Sequence, residues 1–116
     1  MITIEALKAA GANVEEGLSR CLNKEDFYLK MVSMGLNNQN FQLLGPVLDS
    51  KDYDKAFELC HSLKGVIGNL SLTPLYDLIC VLTEKLRART DLADLGDEYN
   101  QLYTQIIVMQ KKLLSL

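Results

Sequence analysis

YDKAFELCHSLKGVIGNL, residues 53–70, contains no proline and carries apolar side chains at helical intervals. Projected at about 100° per residue, Tyr53, Ala56, Cys60, Leu63, Ile67 and Leu70 fall in one apolar sector, so the spacing predicts a helix that buries this face in a core. Asp49, Ser50 and Asp52, just upstream, supply the turn and cap chemistry that starts it. His61 lies outside the apolar sector. The same projection groups it on one flank with Asp54, Phe57, Lys64, Gly65 and Gly68, because offsets of three, four and seven share a helix surface.

Working outward, Thr73 followed by Pro74 reads as an N-cap and first helical position. They open a helix through about Arg89 with Leu75, Leu78, Ile79, Leu82 and Leu86 inside, and with Lys85, Arg87 and Arg89 near its negative end. From about Leu92 to Leu114, the residues Leu95, Tyr99, Leu102, Ile106, Met109 and Leu113 recur in steps of four and three, a coiled-coil-like seam, with Gly96 a weak point near its start. Upstream, Phe27, Met31, Met34, Phe41, Leu44, Val47 and Leu48 predict a helix over about 25–45, whose continuity is strained by the polar Asn37–Asn40 run, Gly45 and Pro46. Two short helices, Ile4–Ala10 and Val14–Leu22, are expected before it, separated by Gly11 and Asn13, the second started by Asn13 with Glu15 and Glu16. Strand-type alternation is absent. The expectation is one all-α domain over 1–116, an antiparallel up-and-down four-helix bundle (25–45, 53–70, 73–89, 92–114) with short N-terminal capping helices.

Length and composition agree: 116 residues, 48% hydrophobic and 23% charged, suit one soluble domain. A net charge of -3 argues against binding phosphate backbones, which needs clustered Lys and Arg, so nucleic acid is not an expected partner. No run of about 18 apolar residues is present, and Glu5 and Lys8 interrupt the start, which predicts a cytoplasmic protein away from the membrane. Cys21, Cys60 and Cys80 form an odd, widely spaced set, read as reduced thiols rather than a disulfide framework. Adjacent Cys60 and His61 diverge by about 100° on a helix and lack a second ligand pair, so no metal is expected. The seam over Leu95–Leu113 is needed within the bundle, which favours a monomer.

The His61 flank carries the chemistry. Glycine inside a helix costs about 1 kcal/mol relative to alanine, so Gly65 and Gly68 need a reason that helix stability does not provide. One reason is access: missing side chains at plus four and plus seven would uncover the imidazole to a bulky partner. The plainer one is tight packing against a neighbouring helix beside an ordinary surface histidine. The shared face of histidine, lysine and both glycines favours a reactive site. Near neutral pH an imidazole, with a reference pKa of about 6.5, offers an unprotonated nitrogen nucleophile. Lys64 adds a cation that would attract a phosphoryl group.

The run CHSLKGVIGNLSL, Cys60 to Leu72, resembles the signature of histidine-containing phosphotransfer (HPt) domains, in which His-x-Leu-Lys-Gly is followed by Gly and Asn at the offsets of Gly68 and Asn69. The segment GANVEEGLSRCLNKEDFYLKM also looks like the family's N-terminal part at Val14, Glu16, Gly17, Leu18 and Tyr28. The resemblance implies that His61 is the phosphoacceptor, Lys64 the phosphate-interacting cation, and Gly65 and Gly68 the openings for an incoming receiver domain. Beside the histidine, Phe57 and Asp54 are the expected docking residues, although Phe57, at the edge of the apolar sector, is equally placed for the core. It implies a carrier in two-component phosphorelay signalling without an ATP site or bound cofactor of its own. The magnesium ion would belong to the partner, a response-regulator receiver domain. The same resemblance fits a domain of a hybrid or chemotaxis-like sensor histidine kinase, phosphorylated by a kinase core; a non-catalytic helical binding module is the other reading. One position departs from the family: many members have glycine ten residues after the histidine, where this chain has Ser71. Serine suits a turn and keeps the side chain short, with a bearing on which receiver fits.

Overall fold

The computed structural model describes residues 2–90 and 94–116. In chain order the helices are α1 (Ile4–Ala9), α2 (Val14–Arg20), α3 (Glu25–Leu36), α4 (Asn40–Asp49), α5 (Tyr53–Asn69), α6 (Thr73–Arg87) and α7 (Gly96–Leu114). Side-chain caps start three of them. Thr3 Oγ1 accepts from the Ala6 amide at 3.1 Å, Asn13 Oδ1 from Glu16 at 3.3 Å and Asp52 Oδ1 from Lys55 at 3.2 Å, each satisfying a donor that has no partner inside its helix.

The helix expected over 25–45 is two helices. Asn37 Nδ2 adds a second bond to the Ser33 carbonyl at 2.9 Å, beside that from its own amide at 3.1 Å, and Asn38 Oδ1 accepts from the Asn40 amide at 2.9 Å, so asparagine side chains compete with the backbone ladder where the helix breaks. Gln110 Nε2 takes the Leu36 carbonyl at 2.7 Å, a buried bond that ties the end of α3 to α7. Pro46, read as a threat to continuity, sits inside α4. The Tyr103 ring packs against Gly45, where a Cβ would meet it at 3.1 Å, and its hydroxyl donates to the Phe41 carbonyl at 2.6 Å. At α6 the cap position falls on Leu72 and not on Thr73, whose hydroxyl donates to the Ser71 carbonyl at 3.4 Å; Pro74 occupies the first turn as expected. The expected start of the last helix, Leu92, lies outside the described residues.

α4, α5, α6 and α7 pack as a helical bundle in which α5 contacts α4 and α6, and α7 contacts α4 and α6. Between α5 and α6 the pairs Asp54–Arg89, Phe57–Arg87 and Gly68–Tyr76 run in opposite directions along the chain, an antiparallel register. The body measures 48 × 23 × 21 Å. Its core takes the predicted faces: Ala56, Cys60, Leu63 and Ile67 of α5, Leu75, Ile79, Leu82 and Leu86 of α6, and Tyr99, Ile106 and Leu113 of α7 are buried. Leu59 of α5, outside the projected sector, is buried as well. α1 and α2 pack over one end. There Tyr28 enters the space left by Gly17, where a Cβ would come within 2.5 Å of its ring, and donates its buried hydroxyl to the Leu70 carbonyl at 2.8 Å. Among the described residues no helix is long and apolar enough to cross a membrane.

Two buried acids make this core sensitive to alkali. Burial pushes the Tyr28 phenol from 10.0 up to about 12, helped by Cys21. Burial likewise pushes the Cys60 thiol from 9.0 to about 12, against an opposing hydrogen bond with Thr83. Both groups hold in the folded state a proton that the unfolded chain releases at lower pH, so their contribution is fully present below about pH 9 and is lost as pH rises towards 12. Urea midpoints measured at steps from pH 8 to 11 should fall steadily above pH 9, and Cys60→Ala, whatever its starting stability, should show a shallower decline than the wild type.

Candidate functional site

The burial of Cys60 and Leu63 turns His61, one residue along the helix, out to solvent on the exposed side of α5. His61, Lys64, Gly65 and Gly68 line one open depression of about 540 Å³ on this side of the bundle. Arg20 and Glu16 of α2 close it at one end, and Tyr76 and Asp77 of α6 form the facing wall. Lys64 is in no ion pair among the described residues, so its ammonium group is available to an incoming anion.

The two glycines have different structural reasons. A Cβ built on Gly65 meets nothing within 4 Å, so the helix is bare at that point and the space beside His61 is open. A Cβ on Gly68 would lie 2.9 Å from the Tyr76 ring. The opening expected at Gly68 is filled from within the chain, by an aromatic ring of α6, as the packing alternative has it, whereas the surface over Gly65 is uncovered.

The floor of the depression is held by a guanidinium. Arg20 Nη1 donates to the Gly68 carbonyl at 2.9 Å, the Asn69 carbonyl at 3.4 Å and Ser71 Oγ at 3.1 Å, while its Nη2 pairs with Glu16 Oε1 at 2.8 Å. Ser71 Oγ in turn donates to Glu16 Oε1 at 3.0 Å. These bonds add a donor to the Gly68 carbonyl, which already accepts from the Ser71 amide at 3.1 Å, supply one to the Asn69 carbonyl, and place positive charge at the negative pole of the helix. Ser71 itself has φ of 57°, in the left-handed region that favours glycine. Serine occupies this position with a side chain bonded on both sides.

The other two candidate residues lie outside the depression. Phe57, half-buried, stacks on the His61 ring with centroids 5.9 Å apart and planes inclined by 17°, and the Arg87 guanidinium carbon lies 5.4 Å from the Phe57 centroid. Asp54, two turns before His61, is ion-paired with Arg89. Cys60 is fully buried and His61 exposed, so the adjacent pair cannot converge on one ion; among the described residues no three His, Cys, Asp or Glu side chains gather as a metal site. Through its side-chain interaction with Cys80, one turn on, the Tyr76 phenol is held above its usual pKa and stays a neutral wall to the depression.

Arg20, Tyr76 and Asp77 were not legible as site residues. Arg20 reaches carbonyls 48 and 49 positions away, a pairing no local pattern announces.

The glycine assignments lead to a stability test. Gly65→Ala should raise stability by about 0.5–1 kcal/mol, the ordinary helix-interior gain, whereas Gly68→Ala should be no more stable than the wild type because the methyl meets Tyr76. In a Tyr76→Ala background Gly68→Ala should become stabilising. Denaturant titration of the five proteins checks this.

Comparison of the chain with protein-family models, with curated proteins and with solved structures returns no match.

Proposed function

We propose that the chain is a phosphocarrier of the HPt type, in which His61 accepts a phosphoryl group from the phospho-aspartate of one receiver domain and delivers it to another. The observation that carries this reading is the combination at the middle of α5: the exposed His61 imidazole, Lys64 one turn on in no ion pair among the described residues, and the empty space over Gly65. The resemblance of CHSLKGVIGNLSL to the HPt signature, which rests on the same residues, supports it.

The chemistry follows from these residues. An unprotonated ring nitrogen of His61 attacks phosphorus, an N–P bond forms as the P–O bond to the partner's aspartate breaks, and the aspartate leaves as a carboxylate. Magnesium, held by the receiver, neutralises charge on the transferring oxygens. Lys64 attracts the phosphoryl oxygens and steadies the phosphohistidine. The bare backbone at Gly65 admits the receiver's loops close to the imidazole. The reverse reaction uses the same groups, so the direction of flow depends on which receiver is charged. The donor is a protein acyl phosphate and not a nucleotide, which leaves the chain a carrier without a turnover reaction of its own.

Incubation with a phosphorylated receiver domain and magnesium should place acid-labile, alkali-stable label on the wild type and none on His61→Gln. Lys64→Ala should retain labelling at a rate lowered about tenfold, equivalent to roughly 1.4 kcal/mol in the barrier. Labelling of His61→Gln at the wild-type level would refute the assignment.

A further inference from the structure

An exposed helical histidine samples several side-chain rotamers and turns freely about χ2, yet the nucleophilic lone pair of an imidazole lies in the plane of its ring. Transfer in line with the breaking P–O bond therefore requires the ring plane itself to be held. Neither Lys64 nor Gly65 can do this, one being a flexible cation and the other having no side chain. Phe57, one turn earlier on the same flank, can: its ring lies nearly parallel to that of His61, the planes inclined by 17° and the centroids 5.9 Å apart. Phe57 is itself confined, half-buried against the core with Arg87, from the last turn of α6, over its ring at 5.4 Å. Arg87 is steadied in turn by Glu84, 3.6 Å from its Nε.

We infer that Phe57 is a positioning residue, a stacking platform clamped by Arg87 that fixes the plane of the His61 imidazole and so the direction of its in-plane lone pair. The inference rests on the phosphocarrier reading and replaces the expectation that Phe57 is a docking residue. An aromatic ring stacked on an imidazole leaves both ring nitrogens at the free edge, so the platform orients the nucleophile without covering it. A cation over the phenyl ring attracts its π-face and holds the platform flat. Preorganised geometry acts on the chemical step and leaves encounter unaffected. This separates positioning from docking in kinetics.

His61 is the chain's only histidine, so its two imidazole carbon-bound protons give unambiguous NMR signals on the full chain. In the wild type the phenyl ring current should move them upfield. Phe57→Leu should return them towards free imidazole values, Phe57→Tyr should keep them upfield, and Arg87→Gln should shift them part of the way back. In single-turnover labelling by a phosphorylated receiver and magnesium, where kcat stands for the saturating transfer rate and KM for the half-saturating receiver concentration, Phe57→Leu should lower kcat about tenfold at nearly unchanged KM, with Phe57→Tyr restoring it. Unchanged proton shifts in Phe57→Leu would overturn the platform, and so would a raised KM at wild-type kcat, which would make Phe57 a docking residue. A wild type that takes no label from receivers would overturn the phosphocarrier reading and positioning for transfer with it; a labelled wild type alongside Phe57→Leu at full kcat would overturn the positioning alone. Circular dichroism melts of Phe57→Leu and Arg87→Gln identify any loss due to unfolding, and Arg87→Gln, a substitution at a half-exposed side chain, keeps the test open if Phe57→Leu is unstable.

Discussion

Burial of one stripe of α5 sets every other feature of the site. Ala56, Leu59, Cys60, Leu63 and Ile67 are withdrawn from water against α4 and α6, and each buried leucine or isoleucine among them contributes on the order of 1.5–3 kcal/mol. With the stripe fixed, helix geometry leaves no freedom to its neighbours: His61 must face outward, Lys64 and Gly65 must follow it one turn on, and Phe57 must precede it by one turn. The antiparallel register with α6 then determines what each of these meets. Tyr76 falls against Gly68 and Arg87 against Phe57 because both pairs belong to one alignment of the two helices. A slip of α6 by one turn would undo both contacts together.

The N-terminal helices extend this control. Arg20, Glu16 and Ser71 form a closed set of charge-assisted bonds around the end of α5, and Tyr28 reaches the Leu70 carbonyl from α3. Surface ion pairs of this kind contribute little when isolated. Here the guanidinium also bonds two carbonyls of a helix terminus, one of which, that of Asn69, has no backbone donor among the described residues, so its removal would take away that partner as well as break a pair. The first two dozen residues thus stabilise the helix that bears His61.

The helical class, the buried faces of α5, α6 and α7 and the position of His61 were legible because each depends on a period near 3.6, and periodicity is a local property of the sequence. The His61–Lys64–Gly65 grouping was legible for the same reason, since i, i+3 and i+4 share a surface whatever the rest of the chain does. The division of α3 from α4 was only half visible. Asn37–Asn40 signalled trouble, but whether asparagine side chains bond to the helix or replace it depends on neighbours such as Gln110, which come from the far end of the chain. Gly68 could not be told from Gly65 by pattern; the difference is a tyrosine on another helix. Arg20 was hidden by distance along the chain, and the partnership of Phe57 with Arg87 by the need to know the α5–α6 register.

The adjacency of Cys60 and His61 has a consequence for chemical selectivity. A thiolate is the stronger nucleophile of the two, and at this point in the sequence it would compete with the imidazole for any electrophile brought to the helix. Turning one residue inward and its neighbour outward removes that competition twice over. The sulfur is out of reach, and a pKa held at about 12 leaves on the order of one thiolate in 10⁵ molecules at neutral pH. Kinetic partitioning between two reactive groups 100° apart is thereby decided by the fold, before any partner arrives.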